Sequence, residues 1–231
     1  LGYLATGVPF LADWNALAEA CRRTHAAWLA EARRRSDEFR ESIRETGRRL
    51  AQAGTHAIDI LDALEPHLRG DAALCIDAGS VGQWAHQLLA GRYPPYWLTC
   101  GRSGVVGWGI GGAMAARLVY PDRPVVLLSG DGAFTFNVAD LECAARQSLP
   151  FVAIVADDQA WGITQTGHRR QFGEAIASSL GPVDFAQLAR SLGARGVSVR
   201  GREEIAPALA EALATPAVTV LHIPIVGGNP S

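Results

Sequence analysis

Apolar positions along the chain fall into two textures. Over residues 12–51, Trp14, Leu17, Cys21, Ala27, Trp28 and Leu29 recur at roughly helical spacing, and the run then turns very polar from Glu31 to Arg49. This predicts helix with no strand. Its apolar stripe is too thin to form a core alone, so residues 1–54 read as a helical arm or linker that packs on something else. From Thr55 onward short apolar runs alternate with helical patterns. The runs lie at residues 73–76, 125–128, 151–156, 196–199 and 218–223, and the helical patterns between them include residues 138–147, 184–192 and 203–213. Strands that are apolar on both faces and separated by helices predict an α/β domain over residues 55–231. Its core is a parallel sheet with helices on both faces. Ligands of such sheets collect at the carboxyl ends of the strands. The loops to inspect therefore follow Ile76, Leu128 and Ala156.

Composition narrows the picture further. The 231 residues are 48% hydrophobic with a net charge of −2, which fits an ordinary globular chain and gives no reason to expect nucleic acid as a partner. The arginines cluster at Arg33-Arg34-Arg35 and Arg48-Arg49, but acids alternate with them, as on a solvated helix face. Cys21, Cys75, Cys100 and Cys143 show neither metal-ligand spacing nor a disulfide framework. No run approaches the roughly 20 apolar residues of a membrane helix, and the start does not resemble a signal peptide. A cytoplasmic location is the expectation. The chain opens at Leu1 without a methionine, which suggests a fragment or a processed product.

Three loops carry unusual chemistry. After residues 124–128 comes Ser129-Gly130-Asp131-Gly132-Ala133, where glycines let the backbone approach a ligand while the carboxylate enters the same space. Backbone N–H groups around such a turn can bind phosphate oxygens; a tight turn with a helix-capping Asp is the plainer alternative. After residues 151–156 comes Asp157-Asp158-Gln159-Ala160-Trp161-Gly162. Adjacent acids at the end of an apolar strand repel unless a cation compensates them. Asp131 and Asp158 lie 27 positions apart, the length of one crossover unit, so the two loops come side by side. Two carboxylates, a carbonyl and diphosphate oxygens suit magnesium, a hard octahedral cation. Asp77-Ala78-Gly79-Ser80 follows the first strand and reads equally as a Gly-Ser turn entering a helix.

These stretches together resemble the signature of thiamine diphosphate enzymes, in which Gly-Asp-Gly leads to an Asn-Asn or Asp-Asn pair at this separation. The similarity is to the acetolactate synthase-like decarboxylases and carboligases, and it covers the last third of a typical family member. It implies side-chain ligation of Mg2+ by Asp131 and Asp158 and backbone ligation by the Ala160 carbonyl. It further implies diphosphate contacts from Gly130, Gly132 and Ala133, with Gly79 and Ser80 on the opposite side and Gly162 nearby. The segment 100–109, Cys100-Gly101-Arg102-Ser103-Gly104-Val105-Val106-Gly107-Trp108-Gly109, resembles the family's glycine-rich stretch. There Gly104 matches a grip on the aminopyrimidine, and Val106 matches the apolar prop that bends the cofactor. Four positions depart from the pattern: Asp158 stands where Asn is usual, Ala133 where Ser is frequent, Arg102 where Gly is common, and Val106 where a larger Met, Leu or Ile is usual.

The same resemblance implies decarboxylation or carboligation of a 2-oxo acid. Family enzymes start this chemistry with a glutamate on a separate pyrimidine-binding domain, and no such domain is visible here. Glu142 reads as structural. The chain is therefore expected to need a missing segment or a partner chain, or to act as a homo-oligomer (dimer or tetramer), with residues 1–29 matching the tail of a middle domain. Two other readings stay open at this point. One is a cofactor-binding or assembly subunit without its own catalysis. The other is a dinucleotide-binding oxidoreductase, since Gly107, Gly109 and Gly112 have the fingerprint spacing. Among the histidines, His168 follows the metal loop and reads as a surface residue, while His25, His56, His67, His86 and His222 form no ligand set.

Overall fold

The computed structural model describes residues 16–19, 25–68, 70–89, 95–228 and 230. Trp14 and Cys21 of the expected first helix, together with Leu1 and Pro94, lie outside the described residues. The chain divides into two units, Leu1–Ser42 and Ile43–Ser231. No described helix is long and apolar enough to cross a membrane.

Helix α1 (Ala26–Leu50) runs from the first unit into the second. In the first unit it is a charged, solvated rod. Glu31 accepts from Arg34 and Arg35 at 2.8 and 2.7 Å, and Arg40 pairs with Asp37 at 2.9 Å. These spacings of three and four residues are those at which helix side chains meet. Trp28, expected on an apolar face, is exposed. In the second unit α1 becomes part of the core. Ile43 is buried, and Gly47 lies so close to its neighbours that a Cβ would stand 2.8 Å from Ile58 Cδ1. Arg44 meanwhile bridges Asp62 and Glu65.

The second unit is built on six parallel strands. These are β1 (Ala73–Ile76), β2 (Tyr96–Leu98), β3 (Val125–Gly130), β4 (Val152–Asp157), β5 (Arg195–Ser198) and β6 (Thr219–Pro224), in the spatial order β2-β1-β3-β4-β6-β5. All residues of β1, β3 and β4 are buried, as the unbroken apolar runs require when both faces are covered. Alternation along each strand divides them between two cores. Leu74, Ile76, Val126, Leu128 and Ile154 pack with α2 (Ala57–Leu64), α3 (Ser80–Leu88) and α9 (Arg202–Ala214). Ala73, Cys75, Val125, Leu127 and Val155 pack with α4 (Gly109–Val119), α6 (Asp140–Arg146) and α8 (Phe185–Ser191). Each buried Val, Leu or Ile among them contributes about 1.5–3 kcal/mol by leaving water. The short helix α5 (Asp131–Thr135) follows β3 directly, and α7 (Gly162–Phe172) follows β4 after a loop of residues 158–161.

Strand β2 is absent from the apolar pattern. It is three residues long at the sheet edge, with Trp97 exposed and Tyr96 and Leu98 only partly buried. An edge strand of that length has no continuous buried run to announce it.

Candidate functional site

The strand order sets where a ligand crevice forms. From β1 the chain crosses outward to β2, and from β3 it crosses the other way to β4, so their carboxyl ends flank a switch point. The two backbones touch there. Gly130 N–H donates to the Ala78 carbonyl at 2.9 Å, and a Cβ on Gly79, whose φ is +119°, would stand 2.8 Å from Gly130 Cα. Only glycine combines that φ with that approach.

Above this contact lies a cavity of about 220 Å3. Its wall includes Gly79, Ser80, Val106, Gly130, Asp131, Gly132, Ala133, Asp158, Ala160 and Gly162. Residues separated by as many as 83 positions in sequence are thus brought together, Asp131 and Asp158 expected from the spacing of their loops and the others from the family resemblance. Gly104 is not in the wall: it lies exposed, with φ +62°, at the end of the 3-10 turn Gly101–Ser103. His168 sits on α7 away from the cavity, its Nδ1 accepting from Ile176 N–H at 3.4 Å. Glu142 lies exposed on α6 and pairs with Arg146 at 2.8 Å. Among the described residues no glutamate lines the cavity.

Each acid in this region has its own setting. Asp158 faces the cavity and receives Ser80 Oγ at 3.4 Å; burial raises its pKa against that bond. Asp131 is buried, and its carboxyl is pushed up to about 7, first by burial and then by Asp158 and Asp157, against a single backbone donor, Gly132 N–H. Asp157 is also buried, but donation from His222 Nε2 at 2.8 Å and Gln159 N–H at 3.0 Å outweighs desolvation and holds it below the ordinary carboxylate range. Among the described residues no three His, Cys, Asp or Glu side chains converge as a complete metal cage. The wall offers two carboxylates, so a cation here would take its remaining ligands from carbonyls, a ligand's oxygens and water. Magnesium binds in that way.

The loop after β4 is clamped from outside. Trp161 N–H donates to Ser178 O at 2.9 Å and Leu180 N–H to Gln159 O at 2.7 Å, a short antiparallel bridge that holds Gln159 at φ +53°. The Trp161 ring lies over Gly132, where a Cβ would come within 2.8 Å of it. The glycine-rich loop has its own organiser. Asp77 accepts from Ala78 N–H at 2.7 Å, Gly107 N–H at 3.1 Å and Gly109 N–H at 3.0 Å, anchoring the segment that carries Val106 to the end of β1.

Asp77, Trp161, His222 and residues 178–180 were not assigned roles from sequence. For Asp77 a signal existed, since it occupies the same strand-end position as Asp131. For His222 there was none, because its partner is 65 positions away.

The dinucleotide reading of Gly107, Gly109 and Gly112 does not survive. The loop follows the edge strand β2 rather than opening the first crossover. None of these glycines lines the cavity; they pack against Phe136, Asp77 and Trp108 instead.

Comparison with known proteins agrees with this geometry. Residues 77–223 match the family model described as thiamine pyrophosphate enzyme, C-terminal TPP binding domain. A probable acetolactate synthase of Mycobacterium bovis is 30% identical over 92% of this chain and 39% of its own length. A 2-hydroxyacyl-CoA lyase 2 of Homo sapiens is 30% identical over 77% of this chain and 28% of its own. Among solved structures, a benzoylformate decarboxylase from Polynucleobacter necessarius shares the fold with a TM-score of 0.64 at 24% identity, covering 72% of this chain and 32% of that one. The chain spans about two fifths of the length of the acetolactate synthase it matches. On the family model and on the strand-end geometry alike, the chain belongs to the thiamine pyrophosphate-binding C-terminal domains of thiamine pyrophosphate (thiamine diphosphate) enzymes.

Proposed function

We propose that this chain holds the diphosphate and Mg2+ end of thiamine diphosphate in an enzyme that decarboxylates or joins 2-oxo acids. The observation that carries the proposal is Asp131. It is a buried carboxylate at a strand end, pushed up to about 7 and lining a cavity beside Asp158. A protein bears that cost where a cation is to be bound.

Asp131, Asp158 and the Ala160 carbonyl would supply the protein ligands of Mg2+. Backbone N–H groups of Gly132 and Ala133 at the start of α5, with Gly79 and Ser80 at the start of α3, would hold the diphosphate. Gly162 lacks a Cβ where one would lie 2.6 Å from Asp158 Oδ2, which keeps that carboxylate's position open. Val106 would press on the cofactor as its prop. The Trp161 ring would shield this end from water. When bound, thiamine diphosphate supplies the carbanion chemistry that breaks and forms bonds next to a carbonyl. The residues described here bind and orient it.

Among the described residues the wall contains no glutamate to protonate the aminopyrimidine. We assign that group to a pyrimidine-binding domain from another segment or a partner chain, within a dimer or tetramer. The test is carbon dioxide release from pyruvate and from benzoylformate, with a family pyrimidine-binding domain supplied in trans. Turnover that needs both polypeptides and Mg2+ supports the proposal. Cofactor binding without turnover on either acid would favour a holding subunit instead. The absence of both would remove the thiamine reading of the site.

A further inference from the structure

The acids at the strand ends include one that the cavity does not use. Asp157 is 5% exposed and closes β4, yet the cavity wall takes Asp131 and Asp158 and leaves it out. Strand register explains where it points. His222 pairs with Val155 across β6 and β4, and Gly130 pairs with Ala156 across β3 and β4. Alternation then sends Val155, Asp157 and His222 to one face, with Asp131 arriving beside Asp157 on the same face. Contacts follow that row. His222 Nε2 lies 2.8 Å from Asp157 Oδ2, and the Asp157 carboxylate also meets that of Asp131.

His222 is itself fixed on its far side. Its ring stands edge-on to Phe185 with centroids 5.3 Å apart, and Nδ1 lies 3.9 Å from Asp184, the residue that caps α8. A buried carboxylate behind a metal ligand has two ways to do harm: it can repel that ligand, or it can draw the cation backward. A strong donor prevents both.

We propose that His222 is a positioning residue for the metal site, acting through Asp157 to fix the orientation of the Asp131 carboxylate. This rests on the reading of Asp131 as a ligand of Mg2+. Ligating carboxylates take their orientation from outer hydrogen-bond partners. Without His222, Asp157 keeps the Gln159 N–H as its neutral donor and turns its remaining charge on Asp131. An asparagine at 157 carries no such charge and offers its own N–H to Asp131, so neutralising Asp157 removes the need for His222.

The experiment is calorimetric titration of the full chain with Mg2+ in saturating thiamine diphosphate, for wild type, His222→Ala, Asp157→Asn and the double variant. His222→Ala should weaken Mg2+ binding about 10–100-fold. Adding Asp157→Asn should restore it to within about threefold of wild type, a coupling that independent sites would not show. His222→Phe keeps the ring against Phe185 while removing both nitrogens, and it replaces His222→Ala if that variant does not fold. Wild-type affinity in the single variant overturns the proposal, and so does a double variant as weak as the single one. A wild-type chain that binds no Mg2+ overturns the metal site itself, whereas binding that His222 does not influence overturns only this role.

Discussion

Asp77 and Asp131 occupy matching places, each just beyond or at the carboxyl end of a central strand, and each is almost fully buried. Burial pushes both upward. What differs is the company. Asp77 accepts three backbone N–H groups and lies outside the cavity wall, so its capacity is used by the protein. Asp131 has the Gly132 N–H, faces two other carboxylates and lines the cavity. The same residue type at the same sort of position thus builds a loop in one case and remains available in the other. Unsatisfied capacity, more than burial or position, distinguishes the acid proposed as a ligand from the structural one.

That contrast can be broken or sharpened by substitution. The largest effect should come from Asp131→Ala, which is expected to weaken Mg2+-dependent thiamine diphosphate binding on the order of 100-fold or more while the chain stays folded, as read by calorimetry beside circular dichroism. Asp77→Ala should do the reverse in kind. Stranding three backbone donors should cost about 2–4 kcal/mol of stability in urea unfolding, with cofactor binding falling only as the glycine-rich loop loosens.

Next in size is a pH effect in the metal-free chain. Asp131 has a folded pKa of about 7 against an ordinary 3.8, so the native state holds the extra proton between those values. Its contribution to stability is therefore complete below the unfolded value and is lost as pH rises toward and through 7. Thermal unfolding in EDTA should show the wild type losing on the order of a few kcal/mol relative to Asp131→Asn between pH 4 and 8. Parallel curves for the two proteins would mean that Asp131 is not strained. Smallest of all is Gly111→Ala in α4. It lies in a helix interior with nothing within 4 Å of the added Cβ, and it should stabilise the chain by about 0.5–1 kcal/mol. Gly130→Ala should instead destabilise, since its Cβ would stand 3.0 Å from Gly79 Cα.

Much of this arrangement was legible in the residues. The fully buried strands β1, β3 and β4 are unbroken apolar runs, and their loops carry Gly and Asp at spacings that only a crossover brings together. Strand β2 was hidden because three residues at a sheet edge, none of them fully buried, make too short a run to stand out. The division of labour among the acids was hidden for a different reason. Asp77 and Asp131 read alike until their donors are known, and two of the three donors to Asp77 lie 30 and 32 residues away. Asp157 and Asp158 are neighbours that alternation sends apart, one toward His222 and one toward Ser80. Gly104 matched a family position, yet it stands outside the enclosed space, two residues before Val106, which lines it.

The most direct test of the central claim is thiamine diphosphate affinity measured across a Mg2+ series, for the wild type and for Asp131→Ala. The account predicts that affinity climbs with Mg2+ in the wild type and stays flat and weak in the variant, because the cation joins the diphosphate to that carboxylate. Equal dependence on Mg2+ in both proteins would contradict it.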